Sequence, residues 1–201
     1  MAIGTVIWCI FYLIIKNLPL NWMMNGKTIT PTQNIDLRNR LVSLFHGFMA
    51  FCFAAYHMFM NRTECGELNT SYQRNVIIFS NSYFLYDLIC MHLEGILDVA
   101  MTIHHPLCVF GLFLPLYENM SGNFCMMAIF ISEISNPPMT IRHIFRLTGR
   151  RYTKGYEAAE LSFIALYVYG RIIAGIPIVM QTLTCPQNHF FLKLTCIGLM
   201  L

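Results

Sequence analysis

LVSLFHGFMAFCFAAYHMFM, residues 41–60, is twenty consecutive residues without Asp, Glu, Lys or Arg. A helix needs about 20 mainly apolar residues, rising ~1.5 Å each, to cross the hydrocarbon core of a bilayer, so this stretch reads as a membrane span. Val99 to Tyr117 is a second charge-free stretch, of nineteen residues. Four more apolar segments, about 1–20, 75–92, 123–141 and 157–181, follow the same pattern but carry ionisable groups. The expected fold is therefore all-α: a multi-pass transmembrane helical bundle or barrel with six full spans plus a short apolar C-terminal segment. That segment, Phe190 to Leu201, is twelve residues long. It reaches only about 18 Å, so it is either a half-inserted tail or the end of a truncated polypeptide.

Composition agrees. Of 201 residues, 56% are hydrophobic and 11% charged, against roughly a quarter charged in a soluble domain. Thirteen Lys and Arg with ten Asp and Glu cannot cover the surface of a soluble domain of this size. A disordered chain, a disulfide-dense secreted scaffold and a nucleic-acid partner are excluded too, the formal charge being only +3.

Loop charges set the orientation. Lys16, Lys27, Arg38 and Arg40 follow the first span, and Arg146, Arg150, Arg151 and Lys154 precede the sixth. Both groups fall on one side, against Arg62 and Arg74 on the other. The expected topology has the N-terminus lumenal or extracellular and the basic loops cytosolic. No basic residue precedes the first apolar run, which argues against a cleaved signal peptide. Sequons at Asn61, Asn69 and Asn119 all fall in expected lumenal loops. Of these, Asn69 is the glycosylation candidate, being furthest from the membrane. Cys65 and Cys185 lie in or beside lumenal loops and form either one disulfide or two unpaired thiols; the other six cysteines read as small membrane hydrophobes.

Ionisable groups are costly in lipid, so the polar residues of the spans must face the bundle interior. Ser80, Tyr83 and Asp87 share one helical face, as do Glu133, Asn136 and Thr140, and Glu160, Tyr167 and Arg171. His104 and His105 precede Pro106, which removes a backbone hydrogen bond. The helical rise places Asp87 and Glu133 near the bilayer centre, Arg171 within reach of either acid, and the histidines about a turn closer to the cytosol. Together they suggest an enclosed polar cavity. Asp87, Glu133 and Arg171 read either as an ion-pair network that fixes helix packing or as part of that cavity's site. His104 and His105 read as packing histidines or as substrate-facing groups. Adjacent residues point about 100° apart, so the pair does not suit one metal ion, and no metal site is expected. His46 and His57 are about 16 Å apart along one helix and are not one site. Phosphate-binding Gly loops, nucleophile elbows and redox CxxC motifs do not occur.

Four stretches carry a family resemblance: RNRLVSLFHG (38–47), YFLYDL (83–88), Asp98 with His104-His105, and FISEISNPPMTIRHIFR (130–146). The chain resembles the TLC-domain family, the membrane module shared by ceramide synthases and translocating-chain-associating membrane proteins, and is most similar to the small TLC domain-containing proteins. This divides the chain into an N-terminal anchor and cytosolic loop, 1–37, and a TLC domain, 38–201, whose C-terminal end reads as incomplete. The resemblance implies a barrel of about six spans around a cavity open to the cytosol or to lipid, and residence in the endoplasmic reticulum. It also implies that His104 and His105 match the ceramide synthase pair that carries acyl transfer from acyl-CoA to a sphingoid amine, with Asp98 near the family's acidic position. No cofactor is implied. The next span departs from the ceramide synthases: SEISNPP offers Glu133 as its nearest acid and no matching histidine. Three functions are weighed. The first is a protein that binds a membrane lipid or acyl chain and influences lipid composition through the polar network of Asp87, Asp98, Glu133, Asn136 and Arg171. The others are an acyl-CoA-dependent N-acyltransferase using His104 and His105, and a cargo or translocation adaptor.

Overall fold

The computed structural model describes residues 1–24, 26–60 and 63–200. Its elements are all helical: α1 (Ala2–Asn17), α2 (Pro31–Met60), α3 (Ser71–Leu93), α4 (Val99–Glu118), α5 (Gly122–Glu133), α6 (Asn136–Leu147), α7 (Lys154–Val168), a π-helical segment (Tyr169–Ile173), α8 (Gly175–Thr184) and α9 (Phe190–Met200). No strand occurs among the described residues, and the lone bridge pairs Leu68 with Met120.

Four stretches among the described residues are long and apolar enough to cross a membrane: α2, α3, α4 and the continuous run Lys154–Thr184. The other two expected spans differ from the expectation. Helix α1 has 16 residues, about 24 Å against a hydrocarbon core of ~30 Å. The segment expected as a fifth span is two 12-residue helices, α5 and α6. They part at Ile134 and Ser135 because Pro137 and Pro138 supply no N–H to a preceding turn and instead suit the first turn of a new helix.

Helix ends follow local chemistry. Thr30 and Gln33 exchange backbone and side-chain hydrogen bonds at the start of α2, and Thr70 and Gln73 do the same at α3. The first of these boxes, with Pro31 behind it, starts α2 ten residues before the charge-free stretch. Asp36, Arg38, Asn39 and Arg40, expected in a loop, are therefore helical.

Packing is inverted relative to a water-soluble bundle. On α1, Trp8 and Tyr12 are buried, while Ile3 (79% exposed), Val6, Ile7, Ile10, Leu13 and Ile14 form the outer stripe. A soluble helix buries such a stripe; here it suits acyl chains. Inside, Ala50 and Ala54 are fully buried and let α2 approach α3 and α5 closely. Helix α5 is the most enclosed, touching α2, α3, α4 and α8, whereas α6 leans out against α2 and α7. Helix α9 closes the wall between α4 and α8. The space beneath α5, bounded by α2, α3, α4, α6, α7 and α9, is left as a cavity.

Candidate lipid-cavity site

Cysteines first tie the loops on one side. Cys65 and Cys185 are joined as a disulfide, with Cα atoms 6.1 Å apart, linking the α2–α3 loop to the turn before α9. Asn69, in the same layer, is buried. Its Nδ2 donates to the Pro115 carbonyl at 2.7 Å and its Oδ1 accepts from the Gly122 N–H at 2.6 Å. The folded structure therefore argues against a glycan at Asn69: the amide that would carry the sugar is sealed between α4 and α5. Of the other two sequons, Asn61 lies outside the described residues.

At membrane depth, α3 and α4 meet through Asp87 and His105. His105 Nε2 lies 2.7 Å from Asp87 Oδ2, and Asn39 Nδ2 donates to Asp87 Oδ1 at 2.7 Å. Tyr86 donates its hydroxyl to Asn39 Oδ1 at 2.9 Å. His105 Nδ1 faces the Met101 carbonyl at 3.2 Å. Every polar atom of this cluster has a partner, which is how an acid is tolerated in a low-dielectric interior.

Around this cluster the cavity measures about 400 Å³, within the range of roughly 300–1,000 Å³ common to small-molecule sites. The expected residues Asp87, Asp98, His104, His105, Glu133, Asn136 and Arg171 all line it. Met91, Leu112, Ile129 and Leu192 supply apolar wall. The lining runs from Asp36, Arg40 and the exposed Asp98 at the end carrying the basic loops to Thr182 and Leu192 deep inside.

The lining residues do different work. His105 is buried and held between Met101 and Asp87; His104 is half-buried, its Nε2 3.4 Å from Cys108 Sγ. The two rings stand at 82° to each other, so only His104 offers an uncommitted edge to a ligand. Asp98 caps α4 by accepting from the Met101 N–H at 2.8 Å, which is a structural use of the carboxylate at the cavity mouth. Glu133 Oε2 accepts from Asn136 Nδ2 at 2.8 Å, bridging the α5–α6 break. A Cβ at Gly47 would fall 2.9 Å from that oxygen, so a glycine on α2 gives Glu133 its room.

Of the two readings of Asp87, Glu133 and Arg171, the ion-pair network does not form among the described residues. Asp87 pairs with His105 instead, and Arg171 takes part in no ion pair among the described residues. Its Nη1 donates to the Leu199 carbonyl of α9 at 2.9 Å. Depth along separate helices placed these groups in one band, but lateral position around the bundle decided the pairing. Glu160, expected on one face with Tyr167 and Arg171, is bound instead by Arg142 at 3.2 Å and by Tyr156, while Tyr167 and Arg171 line the cavity.

Sequence reasoning missed the α2 contribution of Asn39, Arg40 and Ser43. The signal was the i, i+4, i+7 spacing of Asn39, Ser43 and His46, hidden by reading 16–40 as a charged loop. His46 itself is spent on packing: it stacks on Tyr83 at 3.7 Å between ring centres, in an aromatic cluster with Trp8 and Phe79. His57 sits elsewhere on α2, against Asn123 at 3.0 Å. No group of three or more His, Cys, Asp or Glu side chains suited to a metal ion occurs among the described residues.

No solved structure matches the chain. A family model described as the TLC domain matches residues 36–201, the span that carries the cavity and every polar group lining it, and the chain therefore belongs to the TLC-domain family of membrane proteins.

Proposed function

We propose that this protein is a lipid-handling TLC protein of the endoplasmic reticulum, its N-terminus lumenal, which binds an acyl lipid in the cavity and so influences membrane lipid composition. One observation carries the reading. A single cavity of about 400 Å³ combines apolar wall with a band of polar side chains at membrane depth, and it reaches the surface beside Asp98. Acyl chains satisfy the wall, and a polar head satisfies the band. The partner is a membrane lipid or acyl chain. The test is purification of the full chain followed by lipid mass spectrometry. Co-purifying acyl lipid is expected at near-stoichiometric amount; a preparation free of lipid, with none taken up on addition, refutes the reading.

A second reading, an acyl-CoA-dependent N-acyltransferase, is favoured by the position of His104. Its ring lines the cavity with an edge not tied to Asp87, in the place a general base for an incoming amine would occupy. Turnover of an acyl-CoA with a sphingoid base, abolished by His104→Ala in a protein that still binds lipid, would establish it. Bound lipid without turnover leaves the handling function.

A further inference from the structure

Arg171 lies near the middle of the run Lys154–Thr184, about 20 Å from its Thr184 end. A guanidinium at that depth is expensive unless a counter-charge or several acceptors meet it. The structure supplies one acceptor, the Leu199 carbonyl on Nη1, and the Tyr167 ring, 5.7 Å from the guanidinium carbon. The Nε–H is buried without a hydrogen-bond partner. No carboxylate oxygen lies within 4.0 Å of the guanidinium among the described residues. Nε and Nη2 form the side-on edge that grips a carboxylate or phosphate through two parallel hydrogen bonds, and Nη1 is the nitrogen not needed for it.

The backbone holds the Arg171 side chain at the cavity wall. Arg171 belongs to the π-helical segment Tyr169–Ile173, whose extra residue per turn shifts the register of the face it presents. Gly170 lets the segment come close to α5, where a Cβ would fall 2.5 Å from the Ile131 carbonyl oxygen. The guanidinium is within electrostatic reach of His104, Cys108 and Glu133, all of which line the same cavity. Glu133 Oε2 is held by Asn136, and Glu133 makes no ion pair with Arg171 among the described residues.

We propose that Arg171 is an anion subsite inside the cavity, taking the carboxylate or phosphate head of an acyl amphiphile. The inference rests on the lipid-handling reading above and names the ligand class. The apolar wall of the same cavity, including Met91, Leu112, Ile129 and Leu192, takes the acyl chain. The ligand's charge completes a site whose cation is already in place.

The test measures binding of three radiolabelled C14 probes to the purified full chain in neutral detergent, with empty micelles subtracted. Myristate and myristoyl lysophosphatidate carry the two anionic heads, and tetradecanol carries none. At least one anion is expected to bind about tenfold more tightly than the alcohol or better, and whichever does so identifies the head. Arg171→Gln should abolish that preference. Should this variant fail to fold, Arg171→Lys keeps a donor for the Leu199 carbonyl but lacks the side-on edge, and the preference should fall by about threefold or more. Equal binding of all three probes, or a preference unchanged in Arg171→Lys, overturns the subsite while leaving the acyl cavity standing. Binding of none overturns both.

Discussion

Removing one partner of the Asp87–His105 pair separates two histidines that are neighbours in sequence. In His105→Ala, Asp87 keeps Asn39 as a donor but loses the 2.7 Å contact to the imidazole. Stranding one partner of a buried pair costs about 3–5 kcal/mol. At roughly 2–4 °C per kcal/mol for a chain of 150–250 residues, the unfolding midpoint should fall by about 6–20 °C. His104→Ala removes a cavity-lining ring whose polar contact is one weak approach to Cys108, and should cost about 1 kcal/mol or less. Asp87→Leu combined with His105→Leu removes both members and should recover most of the loss, since apolar replacement of a whole buried pair is often neutral. Thermal unfolding of the purified chain, followed by tryptophan fluorescence, reads all three. Trp8 is 5% exposed and sits against Tyr83 and Tyr86, so its emission reports opening of the α1–α3 layer. Equal midpoints for the two single alanine variants would refute the division of labour between the histidines. So would a double variant no more stable than His105→Ala.

Gly170→Ala places a Cβ 2.5 Å from the Ile131 carbonyl oxygen, and a backbone atom cannot swing aside. A loss of about 1–3 kcal/mol is expected, and a midpoint within a degree of wild type would show that α5 and the π segment are not in backbone contact. Replacing both Cys65 and Cys185 by Ser removes a link between residues 120 apart; it should lower the midpoint by the equivalent of about 2–4 kcal/mol and abolish the mobility change seen on reducing gels. Sequons engineered at residues 64–67 should be glycosylated in microsomes and those at 18–24 should not, with Asn69 itself unmodified because its amide is sealed against Pro115. The opposite pattern would invert the topology.

Much of the site was legible because a polar side chain stands out in an apolar chain. Most of the residues expected to face inward line one cavity, from Asp87 on α3 to Arg171 in the π segment, while Ser80 and Glu160 do not. Helix boundaries were legible where a charge-free run ends at a polar turn, as at the end of α4 near Glu118. They were obscured where a capped, charged turn continued into a span, as at Thr30–Arg40, and so Asn39 was not recognised as a partner of Asp87.

By itself the sequence determined that the chain is helical, that it belongs in a membrane and which side chains need shelter from lipid, since each of these follows from hydropathy and from spacing along one helix. It could not determine who pairs with whom. Partner choice depends on how helices are arranged laterally around the bundle, and helical periodicity carries no information about that. Only the tertiary structure gave His105, rather than Arg171, to Asp87 and left His104 with a free edge. The same arrangement left the Nε of Arg171 buried at the cavity without a partner, because α9 reached only its Nη1.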